Sequence, residues 1–161
     1  MTLVITDIDS SLLMLPEDCT VVEASENRMH CVGCFGCWVK TPGECLIKDD
    51  ISRMGAMLAR CSRVIIVSRC VYGGYSPAVK RVLDRSLSYV HPDFTKRKGR
   101  MHHKRRYDNV YDSEIHFYGD ITDAEKATAQ KVAEANNINF GCGSVSVRFY
   151  DSAEEIEGVR L

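Results

Sequence analysis

The feature that most restricts the fold of this chain is Arg63–Ser68, RVIIVS. Four consecutive β-branched aliphatic residues leave no polar face, which is the pattern of a strand buried on both sides. Such strands sit in the middle of sheets whose two faces are covered by helices. A second run, Thr2–Ile8 (TLVITDI), has the same character and ends in Asp-Ile-Asp-Ser-Ser. Helical periodicity follows each later strand, so the chain reads as an α/β three-layer fold with a parallel sheet. At 161 residues it is expected to form one domain, 1–161, with a full core.

Taken in order, the elements suggest five strands. Thr20–Ala24 (TVVEA) is the second, and the segment before it, SSLLMLPED, holds at most one helical turn because Pro16 closes it. A parallel crossover usually carries a helix, so the first helix is largely missing. After a long loop, Asp49 and Asp50 are placed to cap a helix over ISRMGAMLARC. Ser76-Pro77 opens a helix to about Val90, with Ser as cap and Pro at the first helical position. Residues 91–111 read as a polar, basic loop. Glu114–Tyr118 is a strand, and Thr122-Asp-Ala-Glu125 is a capping box for a helix to about Asn136. Phe140-Gly-Cys-Gly143 reads as its C-cap. Ser144–Tyr150 alternates like a final strand, and Ser152-Ala-Glu-Glu155 is a second capping box near the end. Five such strands suit the order 2-1-3-4-5, with ligands at the carboxyl ends where strand order reverses.

The stretch Cys31–Asp50 (CVGCFGCWVKTPGECLIKDD) spaces four cysteines as C-x2-C-x2-C-x7-C. As thiolates, Cys31, Cys34, Cys37 and Cys45 could hold a [4Fe–4S] cluster or a tetrahedral zinc ion. Reduced thiols packed in a loop are the simpler reading, and it is favoured. The start of the chain has no basic segment before its apolar run and meets aspartates at once, unlike a secretory signal. A cytoplasmic location with the eight cysteines reduced is therefore expected. A net charge of −1 offers no case for nucleic acid, and no apolar run reaches the ~20 residues of a membrane span. Lys96–Arg106 is strongly basic; it could grip an anion such as the NADPH phosphates, but a solvated loop or oligomer contact is favoured.

The cysteine stretch, the helix and strand after it, and CVYGGYSPAVKRVLDR together resemble the flavodoxin-like NAD(P)H-dependent FMN reductase family over roughly residues 30–150. Many of its members carry a C-x-x-C-x-x-C…C-x-x-x-D-D segment and a Pro-x-Tyr-x-Gly loop leading into Lys-x-x-x-Asp-Arg. Val71-Tyr72-Gly73 and Lys80, Asp84 and Arg85 match that pattern. The resemblance implies a flavodoxin-like fold, FMN at the strand ends and NAD(P)H as two-electron donor. It places cofactor contacts at Asp9, Ser10 and Ser11 after the first strand. Further contacts fall at Ser68, Arg69, Cys70, Val71, Tyr72 and Gly73 after the third, and at Gly119 after the fourth. The family also has an iron–sulfur branch, which would make the chain an electron carrier.

Two positions depart from the family pattern. Its members hold the FMN phosphate on a Ser/Thr-rich loop that caps the first helix, whose free amides face the anion. Here Asp9-Ser10-Ser11 brings a carboxylate and leads into no full helix. Cys70 stands where the family has its loop proline; beside Arg69 it could be a redox thiol, though a small loop residue is the plainer role. These departures raise a second reading, a non-catalytic relative that has lost FMN. A third, Asp7-Ile-Asp9-Ser-Ser11, resembles the D-x-D-x-[S/T] start of haloacid-dehalogenase-like phosphatases. Ser68, Gly119, Asp120 and Asp123 follow in compatible order, and the chemistry would need Mg²⁺. Trp38 reads as a packing anchor. With helices one and five reduced, one sheet face is expected to be bare and apolar, and a homo-oligomer is expected to bury it.

Overall fold

The structure, a computed structural model, describes residues 1–97 and 99–161. Lys98 of the basic run lies outside the described residues. The strands are β1 (Thr2–Thr6), β2 (Cys19–Glu23), β3 (Arg63–Val71), β4 (Gly74–Tyr75), β5 (Val90–Arg97), β6 (Arg100–Arg105), β7 (Asp112–Tyr118) and β8 (Val145–Tyr150). The helices are α1 (Gly36–Val39), α2 (Met54–Leu58), α3 (Pro77–Arg85), α4 (Asp123–Phe140) and α5 (Glu154–Glu157).

The central sheet runs β2-β1-β3-β7-β8 with every pair parallel, and β4 folds back antiparallel on β3. This is an α/β architecture with a mainly parallel central sheet, compatible with a flavodoxin-like fold. It differs from the expected five strands by the added β4 and by a separate β5–β6 hairpin. The RVIIVS run is the centre of the sheet. Ile65 pairs with Val4 on one side and Glu114 on the other, and Val64–Val67 are all buried. Leu3, Ile5, Val64, Ile66, Ile115 and Phe117 point to one face, beneath α2, α3 and α4. Val4, Ile65 and Val67 point to the opposite face.

That opposite face is less bare than the sequence implied. Between β1 and β2 there is only a 3-10 turn, Ser10–Leu12, as the short connection dictates. Leu13 from this connection and Ile156 and Leu161 from the C-terminal tail bury against Val4, Ile65 and Val67. The tail is tied in place by a Met14–Arg160 bridge and by Leu161 N–H donating to Met14 O (3.1 Å). Each of these three side chains contributes about 1.5–3 kcal/mol by leaving water. Leu15, Val21 and Val159 pack around this cluster, partly buried, and polar pairs complete the face beyond it. Arg63 and Glu114 form a two-pronged pair (2.9 and 2.8 Å), and His116 bonds Tyr150 Oη (2.9 Å). Leu13, Ile156 and Leu161 thus cover part of the face from which an oligomer was expected.

Ser76 Oγ accepts from Val79 N–H (3.3 Å) with Pro77 behind it, and the capping box of Thr122 and Glu125 is complete. Four helix boundaries differ from expectation. α3 stops at Arg85, and Ser86–Tyr89 continues only as a 3-10 turn. α2 starts only at Met54, because the Asp49 carboxylate turns away to the buried Arg85 and caps a preceding turn at Ile51 N–H (3.2 Å). α4 runs on to Phe140, whose ring stacks on Tyr89 (centroids 5.9 Å), before Gly141 ends it in the left-handed region (φ 70°). Around α5, Ser152 makes no cap; Ala153 occupies that place, and only Glu155 reaches back, to Asp151 N–H (2.9 Å).

The basic run is a hairpin, not a loop. Its arginines cap backbone. Arg97 donates to His103 O and Asn139 O (3.1 and 3.2 Å), Arg105 donates to Asn109 O, and Arg106 donates to Ser88 O (3.0 Å). His102, buried, bonds Asn139 Oδ1 (2.9 Å). Arg97 thereby satisfies one of the last carbonyls of α4, and the cations gathered there suit its negative dipole end.

Candidate functional site

The carboxyl ends of β1, β3 and β7 bring together the residues that the sequence nominated. Asp7, one residue past β1, accepts from Arg69 N–H (3.3 and 3.1 Å) and from Tyr118 Oη (3.1 Å). Burial, followed by the nearby Asp7 charge, pushes the Tyr118 phenol up, so it is a proton donor to that carboxylate. Asp7 therefore acts as a clasp between three strand ends.

The loop after β1 is closed on itself. Asp9 Oδ1 accepts from Ser11 N–H and Ser11 Oγ (2.9 and 2.7 Å). Glu23, at the end of β2, accepts from Ser10 N–H and Ser10 Oγ at one oxygen (3.1 and 2.6 Å). The serine hydroxyls, then the amides, hold both carboxyls below the usual carboxylate range. The two serines thus spend their amides and hydroxyls on internal carboxylates, and the loop presents negative charge outward. A phosphate would need those same donors, so the loop does not fit the FMN phosphate. Glu23 was not among the sequence candidates. Its signal was available: the parallel register sets Glu23 beside Thr6, next to the loop.

After β3 the nominated residues separate. Ser68 Oγ is buried, accepting from Ser76 N–H (2.9 Å) and donating to Arg69 O (3.0 Å), a structural role. Cys70 and Val71 belong to β3 and pair with Tyr75 and Gly74. Between them Tyr72 (φ 51°) and Gly73 (φ 74°) make a two-residue turn with both residues in the left-handed region. The expected ligand loop is therefore a hairpin tip, and the Tyr72 ring is 89% exposed. Gly73 lies against α4: a Cβ there would fall 2.6 Å from Thr128 Cβ and 2.9 Å from Glu125 O. Burial pushes the Cys70 thiol up, which argues against a ready thiolate. Gly119 (φ 123°) donates its N–H to Tyr150 O (3.1 Å) and ends the fourth parallel strand.

Cys31, Cys34, Cys37 and Cys45 do surround one place, a small pocket of about 20 Å³ beside Arg85. Among the described residues, however, no three His, Cys, Asp or Glu side chains are placed to hold one metal ion. Burial, then the neighbouring thiols, push the Cys37 thiol up, opposite to what a thiolate ligand needs. The arrangement fits neither an iron–sulfur cluster nor zinc. The same test applies to Mg²⁺ for the phosphatase reading, since Asp120 and Asp123 do not gather with Asp7. Trp38 is an anchor, donating its indole N–H to Leu87 O and Val90 O (3.2 and 3.0 Å). A cavity of about 750 Å³ lies between the sheet and helices α3 and α4; Val71, Gly74 and Tyr75 of the β3–β4 hairpin and Cys31 and Gly33 of the cysteine loop line its rim, while Asp7, Asp9, Ser10, Ser11 and Glu23 do not. Among the described residues no helix is long and apolar enough to cross a membrane.

No family model matches the chain. An iron-sulfur flavoprotein of Archaeoglobus fulgidus is 31% identical over 68 residues, which cover 42% of this chain and 30% of that protein. The match thus spans under a third of the length of that curated relative, and it links this chain distantly to a flavoprotein.

Proposed function

We propose that this chain is a flavodoxin-like relative of the flavoproteins that has lost its flavin phosphate cradle and serves as a non-catalytic module. One observation carries the reading: Glu23 and Asp9 occupy the amide and hydroxyl donors of Ser10 and Ser11. A phosphate entering there would meet carboxylates in place of free donors, and like charges oppose each other. The connection also lacks the helix whose dipole would offset the repulsion. The test is direct. Purified protein is expected to be colourless and to leave the absorbance and fluorescence of added FMN unchanged. Stoichiometric FMN uptake, or FMN-dependent oxidation of NADPH or NADH, overturns the reading.

A second reading, an NAD(P)H-dependent FMN reductase-like oxidoreductase, draws on the match to the iron-sulfur flavoprotein and on the Val71-Tyr72-Gly73…Lys80…Asp84-Arg85 pattern. It requires flavin uptake, so the same titration decides between the two. The iron–sulfur version requires the four cysteines, which surround one small pocket, to close further until their thiolates reach one cluster.

A further inference from the structure

The chamber between the sheet and helices α3 and α4 is built, not left over. Its floor is Ile5, Ile66 and Ile115 from three adjacent parallel strands. Two wedges hold the helices apart above it. At one end the β3–β4 hairpin sits between the helix N-termini, with Gly73 pressed on Thr128 and Glu125 of α4. At the other end the Tyr89 ring, in the 3-10 turn Ser86–Tyr89, stacks on Phe140 of α4 and on Tyr107 (5.9 and 5.6 Å). α3 cannot slide in to close the gap, because its last residue, Arg85, is locked to Asp49 and Ile47.

Cores pack like organic crystals, and a cleft of about 750 Å³ that is partly open to solvent leaves its apolar lining without the dispersion contacts that packing would supply. Its floor is aliphatic and its lining mainly apolar, with polar groups confined to a few positions on the walls. Its size lies within the range of about 300–1,000 Å³ typical of small-molecule pockets. Several polar groups that line it are neutral: the Tyr75 hydroxyl beside Asn136, with Asn137, Ser113 and Tyr111. The charged lining side chains are the exposed Lys80 and Asp84, which neutralise each other (2.6 Å).

We infer that this chamber is a binding site for a neutral, largely apolar small molecule carrying one hydrogen-bonding group that meets Tyr75 and Asn136. A charged ligand would lose its hydration without finding a partner inside. The site is separate from the acidic strand ends and does not depend on whether flavin binds there.

The probe is prodan, a neutral naphthalene ketone whose emission shifts to the blue in apolar surroundings. The protein is expected to bind it saturably, one to one, with a blue shift. Leu83→Trp on α3 and Ala133→Met on α4 each fill the chamber and should weaken binding by at least ~10-fold while the protein remains folded. No saturable binding, or two folded variants that bind like the parent chain, overturns the assignment. Hydrogen exchange on the unsubstituted complex reads the location independently of any variant. Slowed exchange in α4 and β4 is expected; slowing confined to the loop at residues 7–12, which does not line the chamber, overturns it. An FMN titration run alongside reports on the strand ends alone, so the two proposals fail separately.

Discussion

Arg85 offers the most direct test of how the cysteine loop is held. Its side chain is fully buried, and its guanidinium donates to both carboxylate oxygens of Asp49 (2.7 Å to Oδ1) and to Ile47 O (2.9 Å). Asp49→Ala removes two charge-assisted bonds and leaves a buried cation with backbone carbonyls as its remaining acceptors. Breaking a buried pair from one side costs ~3–5 kcal/mol. The Asp49 side chain is 28% exposed, so water can partly replace it, and the lower end, ~3 kcal/mol, is expected. For a chain of this size that is a fall in Tm of roughly 6–12 °C. The double variant Asp49→Ala/Arg85→Met removes the stranded charge as well and substitutes apolar packing, so it should lose less, ~1–2 kcal/mol. Urea denaturation followed by circular dichroism measures both. Alkylation of Cys37 and Cys45 should accelerate in Asp49→Ala, since the loop loses its anchor. A loss under ~1 kcal/mol in the single variant would mark the pair as an ordinary surface bridge. A double variant worse than Asp49→Ala would refute the idea that a stranded charge is the cost.

Burial, helped by the Arg148 guanidinium, pushes His116 down from 6.5 to about 4. The unfolded chain therefore binds a proton that the folded chain refuses between these values, and stability falls as pH drops below about 6.5. The loss between pH 7 and pH 5 should be about 2 kcal/mol, and His116→Phe should flatten that part of the Tm–pH curve; an unchanged slope would count against it. Gly73→Ala meets both a left-handed φ and the backbone of α4, and should cost ~2–3 kcal/mol by thermal denaturation. Gly33→Ala has the same sign of φ (64°) but open space around it, and should cost only ~1 kcal/mol; equal losses would show that contact with α4 is immaterial.

The parts of the fold that depend on neighbouring residues were readable in the sequence. Val64–Val67 announced the central strand, Ser76-Pro77 and Thr122…Glu125 announced their helices, and Gly141 ended one. The parts that depend on distant partners were not. The β5–β6 hairpin lacks apolar alternation because its arginines serve carbonyls elsewhere, at Ser88, Asn109 and Asn139. The tail from Ile156 to Leu161 looks too short to cover a face until the bridge to Met14 is known. At the site, Ser10 and Ser11 were identified as donors, but what they donate to was set by the pairing of β1 with β2, which carries Glu23 alongside Thr6. Tyr72 and Gly73 were read as part of a ligand-contacting loop; the return of β4 onto β3 makes them a hairpin tip facing solvent.

On the proposed non-catalytic reading, the self-closed loop accounts for how such a sheet is stable without a ligand at its strand ends. A phosphate-binding loop leaves donors unsatisfied until the anion arrives. Here Asp9 and Glu23 supply that satisfaction from within the chain, so the short connection between β1 and β2 is complete as it stands. Removing one carboxylate does not reverse this. Glu23→Ala would free two donors on Ser10, yet Asp9 would still hold Ser11, and Asp7 would still hold its charge between Arg69 N–H and Tyr118. The missing first helix would still withhold the row of amides that a dianion needs. Glu23→Ala is therefore expected to bind FMN no better than the parent chain. A variant that turned yellow would show that one carboxylate, and not the lost helix, is what excludes the flavin.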